Sequence, residues 1–181
     1  MLHYSFDRLE EYIMNDDITS LQQLSLSQLE IRDMETAQTL LHIAAEHGNI
    51  DIVKLFLDKE LSLSAYDAEG YFPIHRAAEA NRSHIIKLFI ENQPATINQI
   101  THNRDTPLDL AMNIGAIESV IYMIEAGDGL YRTQRCYSRP LNILLNNNPH
   151  YKETYFKDFD FNSYNITDLI KILRCLLPED V

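Results

Sequence analysis

The chain has 181 residues, 45% of them hydrophobic, and a formal net charge of −12. That length can bury one sizeable core, while the charge makes phosphate backbones and anionic membranes poor partners. Cys136 and Cys175 form no C-x-x-C pair, and the opening MLHYSFDRLEEY lacks the basic-then-apolar order of a secretory signal, so a reducing, cytoplasmic setting fits and no membrane span is expected.

In chain order, FDRLEEYIMNDDITSLQQL (6–24) predicts a helix–turn–helix with Asn15 at the break. Residues 1–35 hold eight carboxylates against Arg8 and Arg32, half of the whole net charge. The pattern reads as a solvated end-cap, with an acidic landing face for a basic partner as the alternative. TLLHIAAEHGNIDIVKLFL (39–57) then returns as FPIHRAAEANRSHIIKLFI (72–90) and as TPLDLAMNIGAIESVIYMI (106–124), at offsets of 33 and 34. RPLNILLNNN (139–148) opens a fourth copy, with Pro140 placed 33 residues after Pro107. The sequons at Asn81 and Asn165 are read as chance.

Each copy predicts a helix pair. Pro73, Pro107 and Pro140 suit the first turn of a helix, where a missing N–H costs nothing. Ala44-Ala45, Ala77-Ala78 and Ala111 let two backbones approach. Gly48, Asn81, Gly115 and Asn148 stand where the first helix must stop in a left-handed conformation. Second helices carry Ile52, Val53, Leu55, Phe56; Ile85, Ile86, Leu88, Phe89; and Val120, Ile121, Met123, Ile124 on a helical period. Between copies, AYDAEGYF (65–72) offers Asp67 and Gly70 as turn residues.

The T-P-L-H-x-A-A pattern, a following glycine and a period near 33 resemble the ankyrin repeat family. The likeness is close over 33–128 and looser over 1–32 and 129–181. It implies an all-α solenoid: a capping pair 1–32, repeats 33–65, 66–99 and 100–132, and a divergent fourth repeat 133–181. In that last unit DLIKIL (168–173) aligns with DIVKLF (51–56), leaving an insertion at about 149–165. Thr39, His42, Gly48, Gly70, Pro73, His75, Thr106, Pro107, Gly115 and Pro140 carry the structural motif. Departures are Leu40 for proline, Phe72 for threonine, and Asp109 and Asn142 for histidine. Arg104 stands where the second copy has Gly70, so the loop at 101–105 is expected to differ in shape.

Candidate chemistry is thin. His42, Glu46 and His47 fail the spacings that place two zinc ligands and a base on one helix face. His75-Glu79 repeats the His42-Glu46 interval, as a structural device does, and the resemblance implies that this histidine holds a neighbouring unit's loop. Asp158-x-Asp160-x-Asn162 begins like a calcium loop, but Ser163 and Leu169 occupy the places of its glycine and bidentate glutamate. Cys136, His150 and Asp160 supply the residue types of a thiol hydrolase, with nothing to bring them together. Neither an enzyme nor a cofactor is expected.

Surface remains. The resemblance implies a groove lined by loop tips and first helices, which carries to Glu46 and His47 in the first copy. In the second it carries to Tyr66, Ala68, Glu69, Tyr71, Glu79 and Ala80, and in the third to His102, Asn103, Asp105, Asn113 and Ile114. Glu46, Glu69 and Glu79 lend the groove an acidic cast, suiting a protein partner that is basic or mixed in charge. Tyr151, Tyr155, Phe156, Phe159, Phe161 and Tyr164 either cover the end of the stack or form a docking site. The expected function is a monomeric protein-interaction scaffold or adaptor, and the Ile- and Asn-rich composition would also suit an effector delivered into a host cytosol by a bacterial secretion system. The alternatives are the recognition arm of a larger enzyme, or a hydrolase built around the insertion.

Overall fold

Helix pairs of this length cannot shield their own apolar sides, so neighbours must share them. The computed structural model describes residues 4–127, 144–147, 149–157 and 166–175. Pro140, Asn142, Asn148, Cys136 and the run from Asp158 to Ser163 lie outside the described residues. The helices are α1 (Phe6–Met14), α2 (Ile18–Gln22), α3 (Leu26–Leu29), α4 (Leu40–His47), α5 (Ile50–Asp58), α6 (Pro73–Glu79), α7 (Ser83–Asn92), α8 (Pro107–Ile114), α9 (Ile117–Gly127), α10 (Pro149–Thr154) and α11 (Ile166–Arg174). A 3-10 turn spans Pro94–Asn98, and residues 144–147 are also helical.

Helix boundaries follow local chemistry. Thr39, Phe72 and Thr106 are extended N-caps, and Pro73 and Pro107 open the first turns behind them. At the far ends Gly48 (φ 97°), Asn81 (φ 55°) and Gly115 (φ 73°) turn left-handed, which frees the chain to reverse into the next helix. α1 does stop at Asn15, yet the left-handed residue there is Asp16 (φ 54°), one position on.

The helices form two layers. α1, α4, α6 and α8 pack in sequence as an inner layer, while α2, α5, α7, α9 and α11 pack in sequence as an outer one. Ala44, Ala45, Ala77, Ala78 and Ala111 are fully buried between them, where larger side chains would push the inner helices apart. Outer helices align buried columns, at the repeat spacing for Phe56, Phe89 and Met123 and for Ile52, Ile85 and Ser119, and continued past the insertion by Leu173 and Leu169. Leu29, Leu63 and Ile97 make a third beneath the loops. Such stacking lets each unit bury what its neighbour exposes.

The capping pair is tied on by polar contacts as well. Lys59 Nζ donates to the carbonyls of Gln22 (3.0 Å) and Leu24 (2.6 Å), just past the C-terminal end of α2. Arg82 Nε donates likewise to the carbonyl of Glu46 at the end of α4 (2.9 Å), and His84 Nε2 to that of Gly48 (3.0 Å).

Two expectations change. The loop at 101–105 has the same shape as that at 67–71: Thr101 N–H donates to Asp105 O and Arg104 N–H to Thr101 O, as Asp67 N–H donates to Tyr71 O and Gly70 N–H to Asp67 O. Arg104 simply adopts the left-handed conformation (φ 67°) that Gly70 holds at 81°. The insertion, introduced without secondary structure, contains α10, and Phe156 just after it is buried in the common core while Tyr155 is 40% exposed. Leu169, the place of a would-be calcium ligand, lies fully buried in α11.

Candidate protein-binding face

Residues one repeat apart share a face, so the inner helices present rows. Met14, His47, Ala80 and Ile114 occupy one such row and Glu10, Ile43, Arg76 and Leu110 another, one turn earlier. A hollow between α1, α4 and α6 opens over both rows, with Gln38, Glu46 and Arg82 at its edge. Met14 is 55% exposed and Ile114 45%. Glu46, Glu79 and Asn113 are exposed; His47 and Ala80 are half-buried. His47 Nε2 lies 3.4 Å from Asp16 Oδ1, and Asn147 Nδ2 donates to both the carbonyl and the side-chain oxygen of Asn113, each at 2.8 Å.

The loop tips form the adjoining edge. They stack through backbone bonds: Ala68 N–H donates to Thr36 O (2.8 Å) and His102 N–H to Glu69 O (3.4 Å). Among the described residues the strand character reduces to one isolated bridge, Arg32 with Thr39. Ala68, Glu69, His102 and Asn103 are exposed at these tips, and Asp105 is half-buried. Gly70 is needed for closeness more than for its backbone angle, because a Cβ there would fall 2.5–2.7 Å from His102.

The histidines of the motif anchor each loop. His42 Nδ1 accepts the N–H of Thr39 (3.1 Å), while Nε2 donates to Tyr71 O in the next loop (2.9 Å). His75 repeats this, accepting from Phe72 N–H (3.2 Å) and donating to Asp105 O (3.2 Å). A backbone N–H only donates and a carbonyl only accepts, so each ring is the neutral Nε2–H tautomer. Burial drives both down to about 4, outweighing the carbonyl bonds that favour protonation. Neither nitrogen is left to bind a metal or move a proton. Asp109 reproduces the local half of the device, its Oδ2 accepting from Thr106 N–H and Oγ1–H, each at 2.9 Å.

Sequence reasoning missed the hub of this face. Arg76 reaches Asp67 Oδ2 at 2.6 Å, Glu69 at 3.2 Å and Glu79 at 3.4 Å, and lies 4.4 Å above the Tyr71 ring. Asp67, buried in the loop, also accepts from the N–H groups of Glu69 (3.0 Å) and Tyr71 (2.9 Å). Burial pushes its carboxyl up, but the Arg76 and backbone donors outweigh that and hold it below the usual carboxylate range. Two of the three acids expected to colour the groove are therefore already matched to a cation. The signal lay nine positions apart, in an arginine directly after the motif histidine and an aspartate at the preceding tip.

The paired tyrosines differ. Tyr66 is 56% exposed, its ring against Phe72 (5.8 Å) and His102 (6.1 Å). Tyr71 is half-buried, fixed by Arg76 and edge-on to His75 at 5.8 Å.

A stack of helix pairs joined by stacked loops, with no converging reactive groups among the described residues, is the architecture of a repeat module. The family profile described as "Ankyrin repeats (3 copies)" matches residues 9–101 and 41–134, more than half of the chain, and the chain belongs to the ankyrin-repeat family. Among curated proteins it is 31% identical over 87 residues to the Neurogenic locus Notch protein of Drosophila melanogaster, covering 48% of this chain and 3% of that protein. It is 37% identical over 95 residues to Alpha-latrotoxin-Lh1a of Latrodectus hasselti, covering 51% and 7%. With the human Neurogenic locus notch homolog protein 1 the identity is 29% over 86 residues, covering 48% and 3%. The chain thus spans a few per cent of the length of these relatives.

Proposed function

We propose that this chain is a protein-recognition module that binds a protein partner along the inner-helix groove and the loop tips. We take it as one domain of a capping pair, three regular repeats and a divergent fourth. The observation that carries the reading is the exposure of large apolar groups along that side. Met14 and Ile114 in the helix row and Tyr66 at the loops stay half open, while Ile13 of α1 and Met112 of α8 are fully buried. Met34, 96% exposed at the first tip, extends the edge. Apolar and aromatic groups left open beside a polar rim are what a partner desolvates.

Within the expected set, Glu46, Tyr66, Ala68, Ala80, His102, Asn103 and Ile114 stand open to a partner, and Glu69 and Glu79 would meet it already paired with Arg76. Tyr71 and Asp105 serve by shaping the loops. The work is binding without chemistry, in a reducing compartment such as the cytosol of the producing cell or of a host. The test is affinity capture from candidate lysates with intact protein, Tyr66→Ala and Ala80→Trp, read by mass spectrometry. A partner held by the first and lost by both variants is expected; capture unaffected by either variant would remove the groove from the account.

A further inference from the structure

One end of the groove carries two carboxylates with no direct partner among the described residues, although Glu46 also adds to the negative charge around Arg76. At the α6 end Arg76 is engaged by Asp67, Glu69 and Glu79, and Arg82 donates to a backbone carbonyl. At the α1–α4 end, the carboxylates of Glu10 and Glu46 accept no hydrogen bond and join no ion pair among the described residues. Glu10 is half-buried, and burial first, then the charges of Asp7, Asp33 and Glu46, raise its carboxyl above the usual range. Carboxylates that repel each other in a partly dry hollow gain when a cation arrives. Beside them stand Met14, 55% exposed, and Ile43, an apolar wall of the kind that accommodates the methylene stem of a long basic side chain.

We infer that this end of the groove takes a lysine or arginine from an exposed segment of the partner protein, its cationic head between Glu10 and Glu46 and its stem along Met14 and Ile43. The assignment rests on the groove being the binding face. A metal ion is a poorer occupant, since among the described residues no group of three ligating side chains converges. A second copy of the chain is poorer too, because it brings a charge of −12 to an acidic hollow.

The experiment selects randomised short peptides, displayed on phage, against the intact chain. The selected peptides are then measured on Ala80→Trp, which fills the hollow, and on Glu10→Gln/Glu46→Gln. The expected peptides share a lysine or arginine, lose binding to Ala80→Trp, and bind the double variant about tenfold more weakly with a flatter salt dependence. If Ala80→Trp abolishes binding but the glutamine variant leaves it unchanged, the cation subsite is wrong and the binding face stands. Selected peptides indifferent to Ala80→Trp, or a selection that returns none, overturn both. Self-association of the chain that Ala80→Trp removes would make a second copy the occupant and overturn the inference. Should circular dichroism show the double variant unfolded, Glu46→Gln alone, on an exposed site, gives the same discrimination with a smaller loss.

Discussion

His42 and His75 each accept at Nδ1 and donate at Nε2, so a second ring proton would point at a backbone N–H that already points back. The unfolded chain protonates these rings near the ordinary histidine value of about 6.5, the folded one at about 4. The unfolded state therefore binds more protons between those values, and stability falls as pH drops from about 6.5 to about 4, by up to about 3 kcal/mol for each ring. Urea unfolding at pH 7 and at about 4.5 reads this directly. His42→Gln should be less stable at neutral pH and lose less on acidification; an unchanged slope would show that the ring does not carry it. The tyrosines divide at the same scale. Tyr66→Ala should leave the free energy of urea unfolding within about 0.5 kcal/mol of wild type, whereas Tyr71→Ala removes the ring under Arg76 and should cost about 1–2 kcal/mol. From sequence the two look alike, because flanking one loop says nothing about which ring an arginine on the next helix will cover.

At the level of elements, the repeat spacing made the buried columns legible before any coordinates. Ser119 is the exception that tests them. It stands in the column of Ile52, Ile85 and Leu169, fully buried, and its hydroxyl has no hydrogen-bond partner among the described residues. Ser119→Ala should raise stability by about 1 kcal/mol, by removing an unsatisfied polar group and improving helix propensity. A drop in the thermal midpoint would mean that the hydroxyl finds a partner. The loops teach a different lesson. Gly70 and Arg104 share a backbone conformation, so the glycine is required by His102 crossing close above it. Gly70→Ala should cost more than about 2 kcal/mol, since both the left-handed angle and the contact oppose it. Sequence can flag a glycine in a turn; it cannot show that the neighbouring loop leaves no room for a methyl group.

Across the whole molecule, the formal charge of −12 repels itself, which opposes the folded state. Raising NaCl from a few millimolar to about 0.5 M should lift the melting temperature by a few degrees, because screening relieves that repulsion. A fall on calorimetry would mean that ion pairs such as Arg76 with its three carboxylates outweigh it. By itself the amino-acid order determined the helix pairs, their stops and the period, because those depend on residue-local preferences and on apolar spacing that any stack must satisfy. Only the tertiary structure decided which charges cancel and which rings stay open. Arg76 meets Asp67 across a loop, and Glu10 lines the same hollow as Glu46 from the neighbouring unit. Such meetings are set by how neighbouring helices are placed in space, a distance that no interval along the chain encodes.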